Sequence, residues 1–299
     1  MGRLQAKASQ TCQRGPPMKI AVNGVRLFFD VEGANLVPDG ATLRERPTLI
    51  LLHGGPGFDH SGFKPAFSQL TDVCQIIYLD HRGQGRSDRS EPAHWNLDQW
   101  ADDLYAFCEA LGIHRPIVMG NSFGGMVAMA YAHRYPDQPG RLILSSTSAR
   151  QNLRRTLDRF GEIGGADVAA VARSFWENPS PETLAPYTNS ALPTYNRRPG
   201  DPEAAERTRW ALDVLFHFAG DEIRRMNLLP GLAGVRCPTL VMGGEQDPVC
   251  PIEDQVEIVE ALPSQWVVFK RFDDCGHGPF RDQPESTFRA IREFISQTE

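Results

Sequence analysis

The sequence has no long apolar run. Stretches such as Leu49-Ile50-Leu51-Leu52 fall far short of the ~18 to 20 residues that span a bilayer, so no transmembrane helix and no membrane partner are expected. It also lacks an excess of positive charge. With 31 Lys and Arg against 37 Asp and Glu, the net charge of −6 repels polyanions, and nucleic acid is not an expected partner. The first seventeen residues, MGRLQAKASQTCQRGPP, lack the apolar stretch of a secretory signal; residues 1–17 read as a flexible arm and the protein as cytoplasmic. The six cysteines, at 12, 74, 108, 237, 250 and 275, include no C-x-x-C pair. Most sit in apolar segments, where a reduced cysteine packs as a small hydrophobe, which argues against a disulfide framework and against structural zinc. His60, His81, His94, His114 and His133 show no H-E-x-x-H or other ligand spacing, so neither a metal nor a cofactor is expected.

What the chain does have is an ordinary globular composition. Apolar residues make up 41% and charged residues 23%, enough to bury a sizeable core without disorder. Its 299 residues correspond to about two domain lengths of roughly 150 each, hence one large domain or a core with an insertion.

Asn23-Gly24 is the dipeptide best suited to a two-residue hairpin, and residues 18–32 around it read as two short strands. Short apolar runs without alternation follow at 48–52, 75–79, 116–119, 141–144, 238–242 and 265–269. Strands buried on both faces read this way, as in a parallel sheet. Between them lie helical patterns. Leu97, Trp100, Ala101, Leu104, Cys108 and Leu111 recur at helical spacing behind the N-cap residue Asn96 and before Gly112, and further helices are expected over 123–134, 251–262 and 284–296. The alternation predicts an α/β fold with a mostly parallel, doubly wound sheet. It breaks over 148–229, where no buried-strand run occurs. Prolines 179, 181, 186, 193, 199 and 202 break up one stretch, and Asp201-Pro202 starts a helix expected to reach about Phe218. The resulting organisation is an arm at 1–17, a core at 18–147 and 230–299, and an inserted helical cap at 148–229.

Gly120-Asn121-Ser122-Phe123-Gly124 is G-x-S-x-G directly between an expected strand and an expected helix, the setting of a nucleophile elbow. Serine is a weak nucleophile near neutral pH and needs a histidine base, itself oriented by a carboxylate. Asp247, just past the strand near 238–242, and His277, between Gly276 and Gly278 past the last strand, supply these in the order Ser, Asp, His. Glu245, Asp273 and Asp274 are the rival acids. In His53-Gly54-Gly55-Pro56-Gly57 the glycines free the backbone to aim an N–H at an oxyanion, and Phe123, the residue after the nucleophile, offers the second N–H. His53 itself reads as a residue that hydrogen-bonds its loop.

HGGPG (53–57), DHRGQGRSD (80–88), GNSFGG (120–125), GGEQDPV (243–249) and GHGPF (276–280) together resemble the α/β-hydrolase superfamily, and HGGPG most resembles its proline iminopeptidase branch. The resemblance spans roughly residues 18 to 297. It implies an α/β-hydrolase fold with an inserted helical cap, with Ser122 as nucleophile, Asp247 as acid, His277 as base, and Gly55 and Phe123 as oxyanion donors.

Iminopeptidases hold the substrate's free amine with cap carboxylates, one of which follows a tryptophan, and Trp176-Glu177 matches that pair. A second family segment, Glu-Asn-His-Tyr-Phe, falls on 214–218, where Val214 replaces the glutamate and one amine anchor is missing. The alternative for Glu177 is a solvated surface residue. Trp176, Trp210 and Phe216 are candidate substrate-binding aromatics among a cap set that also holds Tyr187, Tyr195 and Phe218. Arg150, Arg154, Arg155 and Arg159 stand at near-helical spacing and read as a solvated face. The expected function is a serine hydrolase acting on a small-molecule or short-peptide substrate through an acyl-serine, most specifically a proline iminopeptidase-like aminopeptidase. A carboxylesterase or lactonase is the alternative, and a non-hydrolytic receptor a further one; an aspartate-dependent dehalogenase or epoxide hydrolase is disfavoured by Ser122.

Overall fold

The computed structural model describes residues 18–297, so the expected arm lies outside the described residues. Strands β1 (Lys19–Val22) and β2 (Val25–Glu32) form the expected hairpin, with Asn23 and Gly24 both at positive φ as a two-residue turn of this kind requires. A second, separate hairpin of β3 (Leu36–Asp39) and β4 (Thr42–Glu45) follows. The sequence does not announce it, because its leucines, Leu36 and Leu43, are exposed and Pro38 interrupts the first strand.

The main sheet adds β5 (Thr48–Leu52), β6 (Gln75–Leu79), β7 (Ile117–Asn121), β8 (Arg141–Ser145), β9 (Thr239–Gly244) and β10 (Val267–Phe272). Its eight strands run in the order β1-β2-β6-β5-β7-β8-β9-β10. The pairs of β2 with β1 and with β6 are antiparallel and the rest are parallel. Successive side chains of a strand point to opposite faces, and both faces are covered here. On one side Ile50, Leu52, Val118, Leu142 and Val241 pack with α1 (Leu97–Leu111), α2 (Phe123–Arg134) and the helix Ile252–Ala261. On the other Leu49, Leu51, Met119, Ile143 and Met242 pack with Phe288, Ile291 and Phe294 of the helix Pro284–Ser296. This double burial is the physical reason for the short, unbroken apolar runs. Helix α1 is capped as its sequence predicts, with Asn96 accepting from the Gln99 N–H and Gly112 left-handed at the end.

From β5 the chain moves outward to β6 and then crosses back to place β7 on the other side of β5. Strands β5 and β7 are therefore neighbours whose connections leave in opposite directions, and a crevice opens beyond their carboxyl ends.

Between β8 and β9 lie α3 (Leu153–Gly164), α4 (Ala166–Glu177) and a series of shorter helical turns, with Leu157, Phe160, Phe175, Tyr187 and Leu215 forming a cluster of their own. The segment leaves and returns through a narrow neck: Arg150 and Asn227 form an antiparallel bridge, and the Leu228 N–H donates to the Ala149 carbonyl at 2.8 Å. The stretch that holds the prolines is divided into short pieces as expected: a helix at Pro181–Pro186, single turns at Tyr187–Ala191 and Leu192–Thr194, and irregular chain around Pro199. Ser180 caps that short helix, with Pro181 in its first turn, where a missing N–H costs nothing.

The single helix expected over 201–218 is corrected. One turn, Ala204–Arg207, is followed by extended chain, and helix resumes at Leu212–His217 and runs on to Arg225. The break has a tertiary cause: the Arg209 N–H donates to Asp59 Oδ2 (3.1 Å) and the Ala211 N–H to the Gly57 carbonyl (2.8 Å). Among the described residues no helix is long and apolar enough to cross a membrane.

Candidate active site

Strand β7 ends at Asn121 and α2 begins at Phe123, which leaves Ser122 in the turn at φ 54° and ψ −121°. A positive φ is uncommon for a residue with a side chain and is held here by its surroundings. The Ser122 N–H donates to the Ser145 carbonyl at 2.9 Å, and its own carbonyl accepts from Thr147 Oγ1 at 2.7 Å. The flanking glycines are required by contact. A Cβ on Gly120 would stand 2.1 Å from the Gly124 carbonyl oxygen, and one on Gly124 would stand 2.0 Å from that of Leu52.

Asp247 follows β9 and is fully buried. Its Oδ1 accepts from the N–H groups of Val249 (2.8 Å) and Cys250 (2.9 Å), and its two oxygens lie 3.0 and 2.8 Å from His277 Nδ1. With Nδ1 engaged, Nε2 is the ring nitrogen left for proton transfer. The His277 N–H donates to the Tyr195 carbonyl at 2.7 Å, and the Tyr195 ring meets the imidazole edge-on with centroids 5.2 Å apart. The rival acids are elsewhere: Glu245 pairs with Arg271 (2.6 Å), Asp274 with Arg197 (3.1 Å), and Asp273 is exposed.

Beyond β5, Gly55 lies at φ 119° and lines the same cavity as Ser122 and His277. Phe123 is the first residue of α2, so its N–H has no helical carbonyl to bond. The loop between β5 and the cavity is braced from behind. Gln84 Oε1 accepts from the Gly57 N–H (2.6 Å), and His53 places Nδ1 2.8 Å from the Gly54 carbonyl while Nε2 accepts from the His81 N–H (3.3 Å). Burial lowers the pKa of both His53 and His81, so both are neutral near pH 7, and His53 holds its loop as expected.

The cavity has a volume of about 190 Å³. Trp176 and Trp210 line it, the former donating Nε1–H to the Tyr187 hydroxyl (3.2 Å) and the latter packing edge-on against Phe58. Phe216 does not line it; it packs against the cluster of Phe160 and Phe175. Glu177 is also outside, exposed and paired at 3.1 Å with Arg173 one helical turn earlier. The exposed face of α4 carries it away from this cavity, which corrects the amine-anchor expectation. The arginine group is corrected too. Arg150 and Arg155 reach Glu257 (both 2.9 Å), Arg155 also meets Asp254, and Arg159 reaches Glu253 (3.0 Å), so three of the four form a seam with the helix Ile252–Ala261.

Two cavity carboxylates escaped sequence reasoning because neither stands in a motif. Burial pushes Asp254 up to about 7 despite the adjacent Arg155 guanidinium. Burial acts on Asp59 in the same direction, but hydrogen bonds from Ser61 and the Arg209 backbone, together with the Arg86 charge, outweigh it and leave its pKa lowered. Arg281, four residues after His277, lines the cavity as well and was not singled out either.

A family model described as the alpha/beta hydrolase fold matches residues 47–284. The chain is 26% identical over 269 residues to a 2-hydroxy-6-oxo-2,4-heptadienoate hydrolase of Pseudomonas putida, covering 83% of this chain and 88% of that one. It is 24% identical over 277 residues to a proline iminopeptidase of Lactobacillus helveticus, covering 85% and 91%. Among solved structures it resembles a proline iminopeptidase of Mycobacterium smegmatis with a TM-score of 0.75 at 22% identity, covering 94% of this chain and 97% of that one. The elbow, the strand order and a family match over most of its length together make this chain a member of the α/β-hydrolase fold family.

Proposed function

We propose that the chain is a serine hydrolase in which Ser122 attacks the carbonyl of a small ester or lactone and forms an acyl-serine. The observation that carries this reading is that Ser122, at its strained turn, and His277, with the buried Asp247 behind it, open on one cavity. His277 Nε2 takes the hydroxyl proton as Ser122 Oγ bonds to the carbonyl carbon, and Asp247 stabilises the imidazolium. The N–H groups of Gly55 and Phe123 hold the oxyanion. His277 returns the proton to the departing alkoxide, and a water then repeats the cycle to release the acid and free Ser122.

The cavity favours an ester or lactone over an aminoacyl amide. Its carboxylates are engaged, Asp59 with Arg86 and Asp254 with Arg155, and neither is free to take an ammonium group. The second reading, a proline iminopeptidase-like aminopeptidase, is favoured by the HGGPG loop at 53–57 and by the similarity to enzymes of that name.

Prolyl amides, p-nitrophenyl esters and lactones assayed side by side separate the two. Turnover of esters or lactones with the amide inert is the expected result; a preference for the amide reverses the choice. Ser122→Ala is expected to abolish turnover and to block labelling by a serine-directed phosphonate, and turnover near the parental rate in that variant would overturn the mechanism.

A further inference from the structure

Besides His53, which burial keeps neutral, the acidic, basic and histidine side chains that line the cavity are Asp59, Asp254, His277 and Arg281. Asp59, Asp254 and His277 are engaged, by Arg86, Arg155 and Asp247 respectively. Arg281 is not. Among the described residues no carboxylate or other acceptor meets its guanidinium, whose neighbour is the Phe280 ring with its centroid at 5.1 Å. The adjacent Asp282 is occupied, accepting from the backbone N–H groups of Arg197 (3.0 Å), Arg198 (3.0 Å) and Gly276 (2.7 Å).

Position adds to charge. Arg281 sits one short helical turn after His277, its stem passes over Gly278, and a Cβ on Gly62 would meet Nη2 at 3.4 Å. Gly62, Gly55 and His277 all line the cavity, so the guanidinium belongs to the same cavity wall as the proposed base and the loop that carries Gly55. Arginine stays protonated at any pH the protein would meet. The residue is solvent-exposed and the nearby Asp282 offsets part of its charge, so an anion entering the cavity would exchange water for a charge-assisted pair; with both cavity acids neutralised the charge left for a ligand is positive.

We propose that Arg281 determines specificity by binding a carboxylate carried by the substrate, so that this hydrolase takes anionic esters or lactones of the half-ester kind. The proposal rests on the serine-hydrolase reading above. A planar carboxylate matches the guanidinium fork, and a single cation suits one negative charge better than a phosphate dianion, which would leave a charge unpaired. The same cation disfavours an ammonium-bearing substrate.

The test compares two acyl groups of equal length, p-nitrophenyl hexanoate and the mono-p-nitrophenyl ester of adipic acid, on the parent, Arg281→Gln and Arg281→Lys. The ratio of kcat/KM for the anionic over the neutral ester is expected to fall about 10- to 100-fold in Arg281→Gln and to recover in part in Arg281→Lys. The ratio is internal to each preparation, so a loss of folded protein cancels. A second arm needs no turnover: adipate is titrated into Ser122→Ala and followed by the fluorescence of Trp176 and Trp210, and adding Arg281→Gln is expected to weaken binding at least tenfold. An unchanged ester ratio in Arg281→Gln, or adipate binding indifferent to Arg281, overturns the proposal. If the parent hydrolyses neither ester and phosphonate leaves Ser122 unlabelled, the hydrolase reading fails, and the titration still decides Arg281.

Discussion

The Asp247 carboxylate accepts from two backbone N–H groups and faces one imidazole nitrogen, so its position is fixed before any substrate arrives. Asp247→Asn keeps the shape but offers an amide where Nδ1–H needs an acceptor, which favours the wrong tautomer of His277. The expected loss in kcat is ~10³- to 10⁴-fold, with the thermal midpoint little changed. Kinetics of Glu245→Gln and Asp274→Asn beside it check the assignment, since a comparable loss in either would move the acid role. The residues of the proposed triad were legible because each stands where backbone geometry dictates its neighbours: glycines at 120 and 124 escape a clash near 2 Å, and Gly276 would meet the Tyr195 carbonyl at 1.9 Å if it bore a Cβ. Glu177, Phe216 and Arg281 have no such neighbours. Nothing in a dipeptide says which way a helix turns its side chain, and Glu177 faces water while Trp176 beside it faces the cavity.

Helices α2 and α3 give opposite answers to the same substitution. In α2, Gly124→Ala pushes a methyl group against the Leu52 carbonyl, a backbone atom that cannot step aside, so it should cost at least the ~1 to 3 kcal/mol of core overpacking and displace the elbow. In α3, Gly161→Ala meets Ala169 Cβ at 3.7 Å, an ordinary contact, and relieves helix-interior glycine entropy, so it should stabilise by about 0.4 to 1 kcal/mol. Urea denaturation of the pair checks both signs. The same contrast between local and tertiary control explains what could be read of the elements. Strands covered on both faces advertise themselves by composition, and α1 by its caps. The β3–β4 hairpin buries neither leucine and leaves no pattern. The helix begun by Asp201-Pro202 has sound local chemistry but yields at Arg209 and Ala211, whose N–H groups bond to Asp59 and Gly57 across the molecule.

On the scale of the whole molecule, the seam of Arg150, Arg155 and Arg159 against Glu253, Asp254 and Glu257 joins the inserted helices to the sheet-bearing part. Asp254 makes that seam sensitive to pH. Its folded pKa of about 7 lies above the ~3.9 of an unfolded aspartate, so its contribution to stability is complete below about pH 4 and is lost as pH rises towards 7. Asp254→Asn removes the titration. The parent's thermal midpoint minus the variant's should therefore fall between about pH 4 and 7 and level off above about 8, each pKa unit being worth about 1.4 kcal/mol. A difference that rises with pH over that window would mean that Arg155 holds Asp254 ionised.

The neck at Ala149–Arg150 and Asn227–Leu228 has a consequence for descent as well as for stability. Its two ends are hydrogen-bonded neighbours, about 5 Å apart, so the excursion between them behaves as a cassette that recombination can exchange at one joint without disturbing the register of β8 and β9. The exchange carries several obligations, because Asp59, Gly57 and Asp282 accept from backbone N–H groups of the inserted segment and the arginine seam crosses the joint. The His277 N–H is met by a carbonyl from inside the cassette, that of Tyr195, and any replacement must bring its own acceptor to that point or leave the imidazole loosely held. A change of segment at this joint would therefore have to reproduce a set of backbone and ion-pair contacts, with the Tyr195 carbonyl the one that touches the proposed base.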